Sequence, residues 1–368
     1  MSFDLNSLLR PHIAKLQPYT SARDEYTGKD GVFLDANENP FGSITAQDFN
    51  RYPDPYQSDL KEEIAKIKHV RPTQIFLGNG SDEAIDLLFR AFCNPGKDNV
   101  ILLPPTYGMY EVSAGINDVE IRKVALTDDF QLQPEKILAA ADEHSKILFI
   151  CSPNNPSANK AKREDILFLL KNFKGLVVVD EAYIDFSDEP SFTTELVNYP
   201  NLLVMQTFSK AWGLASLRLG MAFSSEEIIQ ILNRIKPPYN ISGLTQETVL
   251  AAIQNKEKVD QMIKEILAER DFLQKEMVKL PFVQKIHPSH ANFLLVKIPK
   301  ANQVYDDLIA EKVIVRNRAK VLLCEDCLRI TVGTRAENEA LLSALRKVCE
   351  SPLSTDHSRQ HPNKQVEI

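Results

Sequence analysis

Leu176-Val-Val-Val-Asp180-Glu-Ala-Tyr183 is the stretch on which the fold turns. An unbroken apolar run does not suit a strand with one face in water; it marks a strand covered on both faces, as in a parallel sheet between helices. The run stops at an acid. In open α/β sheets ligands gather beyond the carboxyl ends of the strands, which puts Asp180 where a bound group would lie. Acids also follow strands simply to cap the next segment, and this run alone allows either role.

Outward from this strand the same form recurs. Ile147-Leu-Phe-Ile-Cys-Ser-Pro-Asn154-Asn155-Pro156 is a second apolar run, broken by proline and asparagine turn chemistry. Ile75-Phe-Leu-Gly78-Asn79-Gly80-Ser81-Asp82-Glu83-Ala84-Ile85 reads as a strand, a glycine turn and a helix running to about Cys93. Glycines there let backbone N–H groups approach an anion at the helix N-terminus, where the macrodipole also favours negative charge. The turn is not a dinucleotide fingerprint, because Glu83 stands where G-x-G-x-x-G needs its third glycine, and no G-x-x-x-x-G-K-[ST] run occurs. A single phosphate suits it better than a pyrophosphate. Strands are expected near 75–78, 99–103, 119–126, 147–152, 176–180, 202–208 and 220–224, alternating mostly with helices. The class is α/β, with a mostly parallel seven-stranded sheet flanked by helices.

Thr207-Phe-Ser-Lys210-Ala-Trp-Gly-Leu-Ala-Ser-Leu-Arg218 follows the sixth of these strands. A lysine amine with an ordinary pKa near ~10 is protonated at neutral pH, so a Schiff-base lysine needs surroundings that favour proton loss. A phosphate needs donors and fixed positive charge, which Thr207, Ser209 and the guanidinium of Arg218 can supply. Taken alone, Lys210 reads as a solvated surface residue, and the other segments are what change that reading. Together the segments match pyridoxal phosphate, which acts as an electron sink while its ring nitrogen stays protonated; a carboxylate such as Asp180 favours that state. Tyr183 and Asn155 are placed to reach the ring's phenolic oxygen, although Asn154-Asn155-Pro156 is also an ordinary turn.

These segments, with others, carry a resemblance. Leu16-Gln-Pro-Tyr19-Thr-Ser-Ala-Arg23, Asp35-Ala-Asn37-Glu38-Asn39-Pro40, Arg51-Tyr52-Pro53, Ala91-Phe-Cys-Asn-Pro-Gly96, Pro104-Pro-Thr-Tyr107-Gly-Met-Tyr110 and Leu328-Arg329-Ile-Thr-Val-Gly-Thr334 stand in one order along nearly the whole chain. The chain resembles the fold-type I pyridoxal-phosphate aminotransferases, class II, and within them the branch acting on histidinol phosphate. The resemblance implies a fold-type I transferase with a large cofactor-binding domain and a smaller α+β domain. It implies exchange of an amino group between L-histidinol phosphate and 2-oxoglutarate, giving imidazole acetol phosphate and glutamate, in histidine biosynthesis. Related enzymes on the same cofactor, an aromatic aminotransferase or a threonine-phosphate decarboxylase, are the nearer alternatives; a non-catalytic binding protein of the same fold is the distant one.

Carried over by position, the resemblance makes Lys210 the catalytic lysine and proton carrier. Asp180 would hold the ring nitrogen, Asn155 and Tyr183 the phenolic oxygen, and Tyr107 the ring face. Gly80, Ser81, Asp82, Thr207, Ser209 and Arg218 would surround the phosphate, with Tyr52 reaching the phosphate of a neighbouring subunit in a homodimer with shared sites. Arg329 would anchor the substrate, helped by Arg316 or Arg23, with Tyr19, Asn155 and Tyr107 also around it. Arg316 and Arg318 read equally well as a solvated strand end, and Tyr52 as local packing.

One departure concerns the backbone. Ser157-Ala158 stands where Thr-Gly is usual, and an alanine does not readily take the positive φ a glycine allows there. The expected organisation is an N-terminal lid, residues 1–30, packing on the smaller domain; a large domain, 31–270; a small domain, 271–350; and a disordered polar tail, 351–368. An amphipathic helix from Thr245 to about Leu280 would join the two domains. Strands near 283–287, 291–298, 313–316 and 328–332, with helices near 301–312 and 335–349, would build the smaller one. Ser224-Ser-Glu-Glu227 and Thr334-Arg-Ala-Glu337 look like capping boxes.

Composition narrows the partners. A formal net charge of −7 argues against nucleic acid and anionic membranes. Five cysteines without a disulfide pattern, an N-terminus without a signal-like run and no apolar stretch of the ~18 residues a membrane helix needs point to a cytoplasmic enzyme. Cys324-Glu-Asp-Cys327 lacks a second Cys or His pair, so no metal is expected.

Overall fold

A computed structural model describes residues 3–20 and 30–350. Seven strands, β1 (Ile75–Asn79), β2 (Asn99–Leu102), β3 (Glu120–Lys123), β4 (Ser145–Cys151), β5 (Leu176–Asp180), β6 (Leu202–Thr207) and β7 (Leu219–Phe223), form one sheet in the order β1-β7-β6-β5-β4-β2-β3. The β2–β3, β2–β4, β4–β5 and β5–β6 pairings are parallel, while β7 runs antiparallel to both its neighbours.

The apolar run of β5 behaves as its pattern demands. Val177 and Val179 enter one core, with Leu148, Ile150 and Val204. Leu176 and Val178 enter the other, with Phe149, Leu203 and the helix Gly80–Phe92. Each side chain is fully covered, which contributes about 1.5–3 kcal/mol per residue as an upper range. Cys151 pairs with Asp180 in the register, so β4 and β5 end side by side. Gly220 in β7 has no room for a side chain: a Cβ there would lie 2.2 Å from backbone atoms of Gly80 and Ser81.

A second sheet is antiparallel throughout, in the order β10 (Arg316–Asn317), β11 (Cys327–Thr331), β9 (Phe293–Lys297), β8 (Lys285–Ile286). Leu294, Val296, Leu328 and Ile330 on one face build a core with Met277, Leu308 and Leu345. The other face gives Phe293, Leu295 and Cys327 to the core of the large sheet. Arg329 pairs with Leu295 in the register and therefore shares this inward face.

Three expectations about local structure are corrected. The joining helix is two helices, Gly243–Ile253 and Lys256–Met277, interrupted at Gln254-Asn255. The helix Glu226–Ile235 is capped by Ser225, whose Oγ accepts from the Ile228 N–H, whereas Ser224 is buried and donates to the Leu202 carbonyl. Among the described residues of the N-terminal segment, 3–20, the packing is on the large sheet's helix and not on the smaller sheet's core: Leu8, Leu9 and Ile13 join Ile85, Leu88 and Phe89, and Arg10 donates to the carbonyls of Arg90 and Ala91. The Thr334–Glu337 capping box forms reciprocally.

Candidate active site

A cleft open to solvent lies beyond the carboxyl ends of β1, β4, β5 and β6. Every residue expected to touch the cofactor lines it except Tyr52; Cys151 and Ala182 line it too.

At one end the chain makes an anion cradle. Gly80 begins its helix with φ +67°, a left-handed conformation that glycine tolerates, and a Cβ there would lie 2.6 Å from the Arg218 guanidinium. Its N–H already donates to the Arg218 carbonyl at 2.6 Å, so its contribution is shape, and the following N–H groups of Ser81 and Asp82 belong to the unpaired first turn. The Asp82 carboxylate accepts from the Tyr107 hydroxyl at 3.1 Å and meets Arg218 Nη2 at 3.5 Å. Thr207 Oγ1 accepts from the Ser209 N–H at 3.1 Å and fixes the turn into Lys210.

At the floor sits Asp180, buried. Its two oxygens accept from the Tyr110 hydroxyl at 2.6 Å and the Ala182 N–H at 3.0 Å. Burial pushes its pKa up, and these two donors oppose that. Lys210 Nζ lies 5.7 Å from the centroid of the Tyr183 ring. Desolvation, then the positive charge of Arg329, hold the Lys210 pKa below the usual lysine value, which favours the free amine a nucleophile needs. Burial raises the Tyr183 phenol, so it stays a hydrogen-bond donor at neutral pH.

The second sheet meets this cavity at two places: Phe293 packs edge-on against the Tyr183 ring at 5.1 Å, and Arg329 reaches Asn155. Arg329 Nη1 donates to Asn155 Oδ1 at 2.6 Å, which leaves Nδ2 as the amide's other polar edge. Arg316 is the register partner of Arg329 across β10 and β11, and the Arg318 N–H bonds the Cys327 carbonyl, so all three arginines share a face. Burial, then the charges of Arg329 and Arg316, hold Arg318 below the usual guanidinium value. Sequence reasoning singled out Arg316 and Arg329 but left Arg318 as a strand end. Tyr19 is exposed, and Arg23 lies outside the described residues. Tyr52 is half-exposed, stacked on Tyr239 at 4.5 Å and away from the cavity of its own chain. Ala158 takes φ +65° despite its Cβ, fully buried and held by the Ala158 N–H to the Asn154 carbonyl at 2.8 Å.

The aminotransferase class I and II family model matches residues 29–345. The chain belongs to this family. Among its relatives, the histidinol-phosphate aminotransferase of Cytophaga hutchinsonii is 56% identical over 94% of this chain and 99% of its own length. That of Bacteroides fragilis is 55% identical over 93% of this chain and 99% of its own. Among solved structures, histidinol-phosphate aminotransferase from Sinorhizobium meliloti in complex with pyridoxal-5'-phosphate superposes with a TM-score of 0.76 at 25% identity, covering 86% of this chain and 90% of that one. An aminotransferase of this family needs a carbonyl cofactor, and the cavity fits one. It holds a lysine of lowered pKa, a buried acid, and a helix start at Gly80 whose positive φ glycine tolerates, beside the Arg218 guanidinium.

Proposed function

We propose that this chain transfers an amino group between L-histidinol phosphate and 2-oxoglutarate, giving imidazole acetol phosphate and glutamate, with pyridoxal phosphate as cofactor. The observation that carries the reading is the contact of Arg329 with Asn155, which brings a cationic edge of the second sheet against a cavity built around Lys210, Asp180 and Arg218. The naming of relatives more than half identical over nearly their full length as histidinol-phosphate aminotransferases supports histidinol phosphate as the amino donor.

When bound, pyridoxal phosphate supplies an electron sink that stabilises negative charge on the carbon bearing the amine. Lys210 Nζ would provide the amine that holds the cofactor and the base that carries the proton of that carbon. Asp180 keeps a proton on the ring nitrogen. Asn155 Nδ2 and the Tyr183 hydroxyl donate toward the phenolic oxygen, and the Tyr107 ring covers one face. The N–H groups of Ser81 and Asp82, the hydroxyls of Thr207 and Ser209 and the Arg218 guanidinium bind the phosphate. Arg329 takes either the phosphate ester of one substrate or the α-carboxylate of the other, with Arg316 supplying the second charge that a phosphate requires. In this reading the large unit, 31–270, carries the cofactor and the small one, 271–350, the anchor.

A homodimer with shared sites belongs to the same proposal. Val32, Leu34, Phe41 and Ile44 are almost wholly exposed on a segment that also carries Tyr52, which supports a second copy of the chain covering it. Tyr52 then reaches the neighbour's phosphate. Mixing Tyr52→Ala protein with Lys210→Ala protein should restore activity, because one site of the mixed dimer keeps both residues; no restoration rules out the shared site. Among the described residues no helix is long and apolar enough to cross a membrane, and all four described cysteines are free, which supports a cytoplasmic setting.

The assay is direct. Histidinol phosphate and 2-oxoglutarate should yield glutamate, whereas carbon dioxide from threonine phosphate without glutamate would make the chain a decarboxylase instead.

A further inference from the structure

We infer that Tyr110 is a positioning residue for the cofactor's ring nitrogen, acting through Asp180; the inference rests on the cofactor reading above. Tyr110 is completely buried and is carried by the helix Met109–Ile116, remote in sequence from Asp180. Its hydroxyl donates to Asp180 Oδ2 at 2.6 Å, while the Ala182 N–H takes Oδ1 at 3.0 Å. One donor on each oxygen fixes the plane of the carboxylate, and the remaining lone pairs are those available to the cavity that Asp180 lines.

The chemical choice of donor matters. A lysine or arginine at this place would neutralise Asp180, whereas a neutral hydroxyl satisfies a buried oxygen and leaves the whole negative charge for the ring nitrogen. Without that hydroxyl the acid loses a donor that favours its ionised form, and it competes with the ring for the proton. The same side chain holds the wall of the cavity. Its ring stacks on Phe149, centroids 4.7 Å apart at 18°, and meets Tyr107 edge-on at 5.5 Å and 84°. One residue therefore orients both the acid under the ring nitrogen and the aromatic beside the ring.

Tyr110→Phe keeps the stacked ring and removes only the hydroxyl. The protein is loaded with pyridoxal phosphate carrying nitrogen-15 in the ring, and the nitrogen resonance is followed against pH beside the kinetics. In Tyr110→Phe the ring nitrogen should lose its proton about one pH unit earlier than in the wild type, with cofactor affinity and kcat each falling about tenfold and both KM values within about twofold. Phe149→Leu, which loosens the stack but keeps the hydroxyl, should leave the nitrogen titration where it is. A Tyr110→Phe titration identical to wild type, or an equal shift in Phe149→Leu, would overturn the role. Wild-type protein that takes up no pyridoxal phosphate would overturn the cofactor reading together with it.

Discussion

The floor of the cavity and the arginine edge of the second sheet treat charge in opposite ways. Asp180 and Asp82 are each met by a hydroxyl, and Asp82 by a cation as well. Arg316, Arg318 and Arg329 face the same side with no carboxylate within ion-pair distance among the described residues; the nearest polar partner of Arg329 is an amide. Burial of unmatched cations is costly, and both Arg318 and Arg329 are held below the usual guanidinium pKa, desolvation first. At the floor, neutral donors satisfy Asp180 and leave its charge to the cavity, and Asp82 already has a cation. At the arginine edge no anion balances the charge, and in the proposed function a substrate phosphate or carboxylate supplies it.

The comparison breaks first at the lysine between the two regions. Lys210→Ala should cut turnover by about 10⁴-fold or more, since it removes both tether and proton carrier; stopped assays with both substrates measure it, and near-normal turnover would remove Lys210 from the chemistry. Arg329→Gln should lower kcat/KM about a hundredfold for glutamate and histidinol phosphate alike, because one fork serves both anions. Arg316→Gln should cost about tenfold and mainly with histidinol phosphate. Equal losses for both substrates in Arg316→Gln would mean that the edge does not distinguish a phosphate from a carboxylate.

Two predictions concern the frame that holds the regions together. His287 is buried against Phe130, and desolvation holds its pKa at about 4 against an ordinary 6.5. The fold therefore favours the neutral ring: its contribution is complete above pH 6.5 and is lost as pH falls toward 4, by up to about 2–3 kcal/mol. His287→Phe should flatten the acid side of a denaturant-midpoint against pH curve by that order, and an unchanged slope contradicts the assignment. The smallest effect is expected at Ala158. Ala158→Gly relieves a left-handed alanine, worth about 1–2 kcal/mol, against about 0.8 kcal/mol for the buried methyl lost. A net gain of about 0.5 kcal/mol should appear in urea unfolding; a loss above about 1 kcal/mol would show that the methyl packing governs.

Much of the large sheet was readable from the chain because burial on both faces leaves unbroken apolar runs, and the acid or asparagine after β1, β4 and β5 marks their carboxyl ends. Asp180, Asn155 and the Gly80 turn followed from those ends, whereas Tyr107 came only from the resemblance. What the sequence concealed was tertiary. Adjacent serines at 224 and 225 offer the same hydroxyl, and only the Leu202 carbonyl decides which one caps. Leu8, Leu9 and Ile13 announce burial without naming the core that receives them. Gln254-Asn255 interrupts a helix without disturbing its apolar period. Tyr110 stands three residues from Tyr107 in a quoted motif, yet its partner lies on a strand far along the chain, and nothing local signals that bond.

The central claim is that Lys210 meets pyridoxal phosphate in this cavity, and borohydride reduction of the loaded protein followed by peptide mass mapping tests it most directly. The account predicts the reduced pyridoxyl group on Lys210 alone. Its recovery on another lysine, or none at all in protein saturated with the cofactor, would contradict it.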